Sequence, residues 1–104
     1  MITLKVNDRV LTLDEEGFLV NPADWSEEAA HLLAKSEGIE LTERHWKVIR
    51  FAREYYETNG ASPTLRQISK GAGVPTKELF SLFPKGPAKK VARIAGIPKP
   101  AGCV

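Results

Sequence analysis

The sequence of 104 residues contains one cysteine, Cys103, and only two histidines, His31 and His45. A single cysteine excludes an internal disulfide and any cysteine-rich metal site. The two histidines lie in separate segments, and neither has a second ligand at a helical spacing. We therefore expect no bound metal and no cofactor. We expect His31 on a helix surface and His45 packed or capping beside Trp46.

Long apolar runs are also lacking. No segment approaches the roughly 20 consecutive apolar residues that a membrane span needs. The N-terminal stretch MITLKVNDRV alternates apolar and polar residues and reaches a charge at Lys5, unlike a signal peptide. Hydrophobic residues make up 42% of the chain and charged residues 27%, as in ordinary globular proteins. These features predict one domain located in the cytoplasm.

Acidic residues are absent after Glu78. Residues 1–57 carry 12 acidic and 7 basic side chains, a net charge of −5, whereas residues 58–104 carry 1 acidic and 8 basic side chains, a net charge of +7. A basic half of this kind favours an anionic partner. That partner could be a nucleic acid, an acidic protein surface or the acidic half of the same chain.

The alternation of apolar and polar residues near the N-terminus predicts a β-hairpin. Residues 2–6 (ITLKV) and 9–13 (RVLTL) are short alternating runs joined by Asn7 and Asp8. Residues 18–20 (FLV) are a candidate third strand. The rest of the chain has the longer period of helices.

Helical periodicity, cap residues and Pro or Gly breaks predict five helices. The second helix carries an apolar and aromatic face that we assign to the core; its residues are Trp46, Ile49, Phe51 and Tyr55. The expected fold class is therefore α+β, a mostly helical bundle with a small N-terminal hairpin and a flexible C-terminal arm. The five helices run from Asn21 or Asp24 to Gly38, from Thr42 to Asn59, from Ser62 toward Lys70, from Pro75 to about Phe83, and from Ala88 to Ala95.

Residues 64–83 read as a helix, a glycine turn and a second helix, which is the pattern of a helix-turn-helix. Thr76, Lys77 and Ser81 would then face a DNA groove. Any compact corner of two helices needs the same glycines and apolar positions, however, and the candidate reading helix has Glu78 and no Arg or Asn. A DNA-binding regulator is therefore the alternative function, and direct contact with nucleic acid is not expected.

The closing sequence PKPAGCV (98–104) places the thiol next to the last residue. Its two prolines favour an extended conformation of roughly 3.1 Å per residue, so that seven residues reach about 20 Å. A glycine before Cys103 would act as a pivot. We expect residues 1–96 to form one compact domain and residues 97–104 to form a mobile arm that brings a thiolate into a partner's active site.

Five segments spread over nearly the whole chain resemble one known family: DEEGFL (14–19), LTERHWKVIRFAREYY (41–56), SPTLR (62–66), LFPKGPAK (82–89) and PKPAGCV (98–104). The family is the DsrC/TusE sulfur carriers, which include the gamma subunit of dissimilatory sulfite reductase. The closing motif with its penultimate cysteine is the most specific part. The resemblance implies a helical bundle with a small β element and a mobile arm, and sulfur carried as a persulfide on Cys103.

The resemblance also implies partners. Some members have a second arm cysteine eleven residues before the last one, a position that Ala92 occupies here. Ala92 cannot form a disulfide with Cys103, which favours the one-cysteine, TusE-like role of a sulfur carrier rather than a stand-alone enzyme. Such a carrier accepts sulfur from a TusBCD/DsrEFH-type complex and passes it to a tRNA 2-thiouridylase. Relay in sulfur oxidation comes second, and a role as product carrier for sulfite reductase comes after both. We expect a monomer when the protein is free.

Six basic residues are candidates for docking an acidic partner or the arm itself. Arg66 stands in the S-P-x-x-R segment of the family, where its charge could steady the terminal carboxylate or a persulfide anion. The alternative for each lysine is a solvated helix face. The six residues are Arg66, Lys85, Lys89, Lys90, Arg93 and Lys99.

Overall fold

A computed structural model describes residues 2–100 and confirms the predicted α+β fold class, with five helices and a two-stranded hairpin. Cys103 lies outside the described residues. In residues 2–100 no helix is long and apolar enough to cross a membrane. The elements are β1 (Ile2–Val6), β2 (Arg9–Leu13), a 3-10 turn (Pro22–Asp24), α1 (Glu27–Ser36), α2 (Glu43–Asn59), α3 (Leu65–Ala72), α4 (Thr76–Leu82) and α5 (Pro87–Ala95).

The hairpin has the predicted boundaries. Its strands pair antiparallel, with Val6 opposite Arg9 next to the turn. Asn7 in the turn has a φ of 55°, which asparagine tolerates better than most residues. The predicted third strand is reduced to a single bridge between Leu13 and Leu19. The hairpin therefore covers one side of the helices without growing into a larger sheet.

The first helix begins later than predicted. Asn21 caps only the 3-10 turn, where its Oδ1 accepts a hydrogen bond from the Ala23 N–H at 3.1 Å. The chain is then extended at Trp25, and α1 starts after Ser26, whose Oγ accepts a hydrogen bond from the Ala29 N–H at 3.1 Å. Because this second cap starts the helix only after Ser26, Trp25 lies outside α1, and its side chain contacts α5.

Helix α2 lies between α3 and α5, and a buried histidine fixes its start. The Thr42 N–H donates to Nδ1 of His45 at 3.1 Å, and Nε2 of the same ring donates to the Leu82 carbonyl at 2.8 Å. The ring thus caps α2 and binds the end of α4, which confirms the expected packing or capping role. His31 is exposed, as expected, and its ring lies 5.2 Å from that of Trp46.

The aromatic face of α2 is less buried than predicted. Ile49 is fully buried, but Trp46, Phe51 and Tyr55 are only half-buried. Gly71 of α3 approaches the Phe51 ring so closely that a Cβ there would lie 2.2 Å from it. The prediction of a core position is thus correct for Ile49 and only partly correct for the rings, which cover the edge of the core. The buried residues of α2 are His45, Val48, Ile49 and Ala52.

Helices α3 and α4 form the predicted corner. The third helix was expected from Ser62 but begins at Leu65, because Thr64 and Gln67 form a reciprocal cap. The Thr64 N–H donates to the Gln67 side chain at 2.8 Å, and the Gln67 N–H donates to Oγ1 of Thr64 at 3.3 Å. Gly73 then ends α3 in the left-handed conformation at a φ of 69°. The residues before Thr64 are thereby free to contact the C-terminal segment.

Candidate functional site

The site begins where the chain leaves α5. Gly96 is left-handed with a φ of 69°, and its N–H donates to the Arg93 carbonyl at 3.2 Å. The Ile97 N–H donates to the Ala92 carbonyl at 3.0 Å. These two bonds form a Schellman motif, which ends the helix and sets the direction of the following residues. Ala92, the position of the second family cysteine, is itself buried in α5.

Two side chains from distant segments bind the last carbonyls of α5; we call Trp25 and Arg53 the anchor pair. Nε1 of Trp25 donates to the Ile94 carbonyl at 2.8 Å. The Arg53 guanidinium donates to the Ala95 carbonyl at 2.7 Å and to the Pro22 carbonyl at 3.2 Å. The guanidinium carbon also lies 4.3 Å from the centre of the Trp25 ring. The anchor pair therefore joins α2, the 3-10 turn and the end of α5.

Sequence reasoning did not find the anchor pair. The first predicted helix, up to Gly38, includes Trp25, and the second, from Thr42 to Asn59, includes Arg53, but no local pattern indicates a partner for either residue. Partial burial lowers the pKa of Arg53 below its ordinary value, although an arginine keeps its charge at neutral pH. The available signal was an arginine directly after Ala52 on the buried side of α2, since a cation in that position needs acceptors.

The described part of the predicted arm packs against the domain. Ile97 is fully buried. The Pro98 carbonyl accepts a hydrogen bond from Oγ of Ser62, in the S-P-T-L-R segment. Nζ of Lys99 lies 3.0 Å from a carboxylate oxygen of Glu16. These contacts tie the segment after α5 to two separate parts of the chain.

Residues 97–100 thus form a docked start of the predicted arm. Residues 101–104, which include Cys103, lie outside the described residues. The division into a compact domain, 1–96, and a mobile arm, 97–104, stays a prediction. If it is correct, the arm can extend from a defined point next to Ser62.

Three of the six predicted docking residues bind acidic groups of the same chain. Lys90 and Arg93 both approach the Glu37 carboxylate, at 3.7 and 3.2 Å. Nε of Arg93 also donates to the Glu16 carbonyl at 2.9 Å, and Lys99 pairs with the Glu16 side chain. The chain's own acidic half, one of the three anionic partners considered, is therefore the partner of these three cations.

The other three docking residues face solvent or line clefts. Arg66 is exposed on the first turn of α3, and Lys85 is exposed in the turn before α5. Lys89 is half-buried on the first turn of α5. Among residues 2–100, none of the three forms an ion pair. They are therefore the charges that remain available to an external anionic surface.

The exposed face of α4 carries the residues that the alternative function would use. Thr76, Lys77 and Ser81 are exposed, as a reading helix requires. Glu78 on the same helix receives two hydrogen bonds from Arg44, at 2.7 and 2.8 Å. These bonds hold the pKa of Glu78 below its ordinary value and raise the pKa of Arg44. The carboxylate therefore stays charged, although its partner reduces the repulsion of a phosphate.

Within residues 2–100, no three side chains of His, Cys, Asp or Glu are grouped as a metal site would require. The described part of the site thus consists of hydrogen-bond donors, carbonyls and basic groups. Such groups can hold a peptide segment in place and attract an anionic surface. The reactive group of the predicted chemistry is the thiol of Cys103.

Comparison with known proteins gives consistent matches along the chain. The family model described as "DsrC like protein" matches residues 5–104. The curated protein "Sulfurtransferase TusE" of Yersinia pestis is 44% identical over 108 residues, which cover 97% of this chain and 99% of the relative. "Sulfite reductase, dissimilatory-type subunit gamma" of Nitratidesulfovibrio vulgaris is 44% identical over 93 residues, which cover 88% of this chain and 89% of the relative.

Solved structures agree with these matches. DsrC of Allochromatium vinosum superimposes with a TM-score of 0.88 at 45% identity, over 98% of this chain and 97% of that chain. The oxidized gamma subunit of dissimilatory sulfite reductase (DsrC) from Archaeoglobus fulgidus superimposes with a TM-score of 0.84 at 43% identity, over 99% and 100% of the two chains. The likeness therefore includes the relative arrangement of hairpin and helices.

Proposed function

This chain belongs to the DsrC-like family, and from that premise we propose that it is a sulfur-relay protein that carries sulfane sulfur as a persulfide on Cys103. The observation that carries the proposal is the position of its one thiol. The family match extends to residue 104 and includes the closing PKPAGCV segment. Relatives that match nearly the whole chain are named sulfurtransferases, which supports the same role.

The proposed chemistry consists of two thiol exchanges. In the first, the Cys103 thiolate attacks the outer sulfur of a donor persulfide, R–S–SH. A bond forms between Sγ of Cys103 and that sulfur, the S–S bond of the donor breaks, and the donor leaves as a thiolate. In the second, an acceptor thiolate attacks the outer sulfur of Cys103–S–SH and restores the Cys103 thiolate. Neither step needs an external oxidant or reductant.

The single thiol favours relay over reductive release. A carrier with two arm cysteines can free its sulfur by closing a disulfide, but Ala92 occupies the second position here. The sulfur on Cys103 must therefore leave by transfer to another thiol. We place the carrier between a TusBCD/DsrEFH-type donor and a tRNA 2-thiouridylase first, in sulfur-oxidation relay second, and as a product carrier for sulfite reductase last. The proposed location is the cytoplasm, and the proposed free state is a monomer.

The basic charges that remain available suggest how partners are recruited. Arg66, Lys85 and Lys89 lie on the first turns of α3 and α5 or just before them. An acidic partner surface attracted to these groups would approach the domain before the thiol reacts. Long-range attraction of this kind raises the association rate and falls with ionic strength. The docking surface is therefore proposed to consist of these three residues.

The experiment is mass spectrometry after incubation with a low-molecular persulfide donor. The intact protein should gain one sulfur, about 32 Da, as expected for transfer to one thiolate. After trypsin digestion the gain should be on the peptide 94–104, because the Lys99–Pro100 bond resists cleavage. Cys103→Ser is the control and should gain nothing. A wild-type protein without the adduct, or an adduct that persists in the variant, would refute the proposal.

The α3–α4 corner, with its exposed Thr76, Lys77 and Ser81, supports a DNA-binding regulator as the second candidate. Salt dependence and the Cys103→Ser variant distinguish the two functions. DNA binding would weaken steeply as salt rises and would be unaffected by Cys103→Ser. Sulfur transfer requires the thiol and is indifferent to added DNA.

A further inference from the structure

The joint where the chain leaves α5 is packed on all sides. The last carbonyls of a helix have no partner inside the helix, and here the anchor pair binds those of Ile94 and Ala95. A Cβ on Gly96 would lie 2.5 Å from Cδ1 and 2.9 Å from Cβ of Trp25. The indole therefore touches both the Ile94 carbonyl and the glycine that turns the chain toward residues 97–100.

From this joint we propose that Arg53 and Trp25 are positioning residues for sulfur transfer, because they fix the direction in which residues 97–100 leave α5. The inference rests on the proposed carrier function and adds residues to it. Both residues contact the backbone at the end of α5. They act through the backbone of Ala95 and Gly96, and so set the point from which Cys103 operates.

The chemistry of Arg53 indicates that it sets the direction in which residues 97–100 leave α5 and does not only stabilise the fold. A half-buried cation loses hydration, and apolar residues of similar volume can stabilise a protein as well or better. The planar guanidinium fork, however, binds carbonyls of two different segments from two separate nitrogens while its face stacks on a ring. Lysine keeps the charge but cannot make the three contacts of Arg53 with Ala95, Pro22 and Trp25 together. The pair therefore holds α5, the 3-10 turn and α2 in one relative orientation.

If the anchor pair has this role, the relay consists of two steps, docking and delivery, that mutations can distinguish. Docking depends on the surface of Arg66, Lys85 and Lys89 and should affect the KM for the carrier. Delivery depends on how often the docked carrier presents its thiol correctly, and should affect kcat. A small misplacement of reacting groups lowers the rate of the bound complex by one to two powers of ten.

The experiment uses Arg53→Lys and Trp25→Phe, with Arg50→Lys as the matched control. Arg50 is exposed one turn before Arg53 on the same helix. Each full-length variant is assayed as the sulfur-accepting substrate of a purified, persulfidated TusBCD-type complex. The reaction of Cys103 with a small aromatic disulfide and the amide exchange of Ile97 are measured in parallel.

Arg53→Lys should lower kcat about tenfold at unchanged KM, and Trp25→Phe about threefold, as expected for misplaced reactants. The amide exchange of Ile97, whose N–H donates to the Ala92 carbonyl, should accelerate. The reaction with the small disulfide should stay unchanged, and Arg50→Lys should behave as wild type. An unchanged kcat in folded Arg53→Lys would overturn the proposal, and so would equal losses toward the small disulfide. If Arg53→Lys does not fold, Trp25→Phe decides. If wild type accepts no sulfur, the carrier function fails, while unchanged exchange at Ile97 would refute the positioning role by itself.

Discussion

A left-handed glycine lies at each end of α5, but the surroundings of the two glycines differ. Gly86 precedes the helix and Gly96 follows it, and both are left-handed, with φ values of 88° and 69°. A Cβ on Gly86 would meet nothing within 4 Å, whereas one on Gly96 would collide with Trp25. The first end carries Lys85 and Lys89 toward solvent, and the second is held by the anchor pair. One helix thus has two basic side chains at its start, where we propose docking, and a fixed exit at its end.

Replacing the two glycines by alanine should give the largest difference. Gly96→Ala should lower the free energy of unfolding by about 3 kcal/mol, because a left-handed alanine is strained and its Cβ overlaps the indole. Gly86→Ala should cost about 1 kcal/mol from backbone strain alone. Urea denaturation of both variants measures the two values. Equal losses would show that the crowding at Gly96 relaxes at no cost.

Removing one donor of the anchor pair should have the next largest effect. Trp25→Phe keeps a ring beside Gly96 but leaves the Ile94 carbonyl without its indole donor, which should cost about 1.5 kcal/mol. Trp46→Phe, at the half-buried edge of the core, should cost about 0.5 kcal/mol. Thermal unfolding followed by circular dichroism compares the two. A larger loss for Trp46→Phe would mean that the hydrogen bond to α5 contributes little.

Removing the contact between Ser62 and Pro98 tests how the docked start of the arm is held. Ser62→Ala removes the hydroxyl that donates to the Pro98 carbonyl and should cost about 1 kcal/mol. The effect should be local, with faster amide exchange at Ile97, whose N–H donates to the Ala92 carbonyl, and little change in α2. Ser81→Ala, on the exposed face of α4, is the control and should stay within 0.5 kcal/mol of wild type. Unchanged exchange at Ile97 would argue that other contacts alone hold this segment.

Charge reversal at the first end of α5 should change stability least. Lys85→Glu with Lys89→Glu should stay within about 0.5 kcal/mol of wild type. The same double variant should associate with a TusBCD-type complex about tenfold more slowly at low salt, and the difference should shrink at high salt. Lys5→Glu in the hairpin is the control of equal charge. If the double variant associates as fast as wild type at low and at high salt, Lys85 and Lys89 have no docking role and belong to a solvated helix face.

Local sequence signals predicted most of the fold. The hairpin, the starts of α2 and α4 and the end of α5 follow from alternation, caps and glycines within a few residues of each boundary. The start of α1 was missed because two caps, Asn21 and Ser26, compete there, and the helical period continues through Trp25. The rings of α2 were assigned to the core because periodicity gives the direction of a face but not how deeply its edge is covered.

The candidate site was predictable only where it is local or shared by the family. Cys103 and the docking lysines follow from composition and from the closing motif. The bond from Trp25 to Ile94 spans 69 positions, and that from Arg53 to Ala95 spans 42, so no short pattern reveals them. For the same reason the net charge of each half could not distinguish cations paired with Glu16 or Glu37 from those that face solvent.

The most direct test of sulfur relay through Cys103 follows one labelled sulfur atom. The protein is loaded with ³⁵S from a labelled low-molecular persulfide, separated from the donor, and mixed with a purified tRNA 2-thiouridylase and its tRNA. The label should leave the peptide 94–104 and appear on the acceptor, and Cys103→Ser should neither take up nor deliver it. A label that stays on the carrier, or one that reaches the acceptor equally well through Cys103→Ser, would contradict this function.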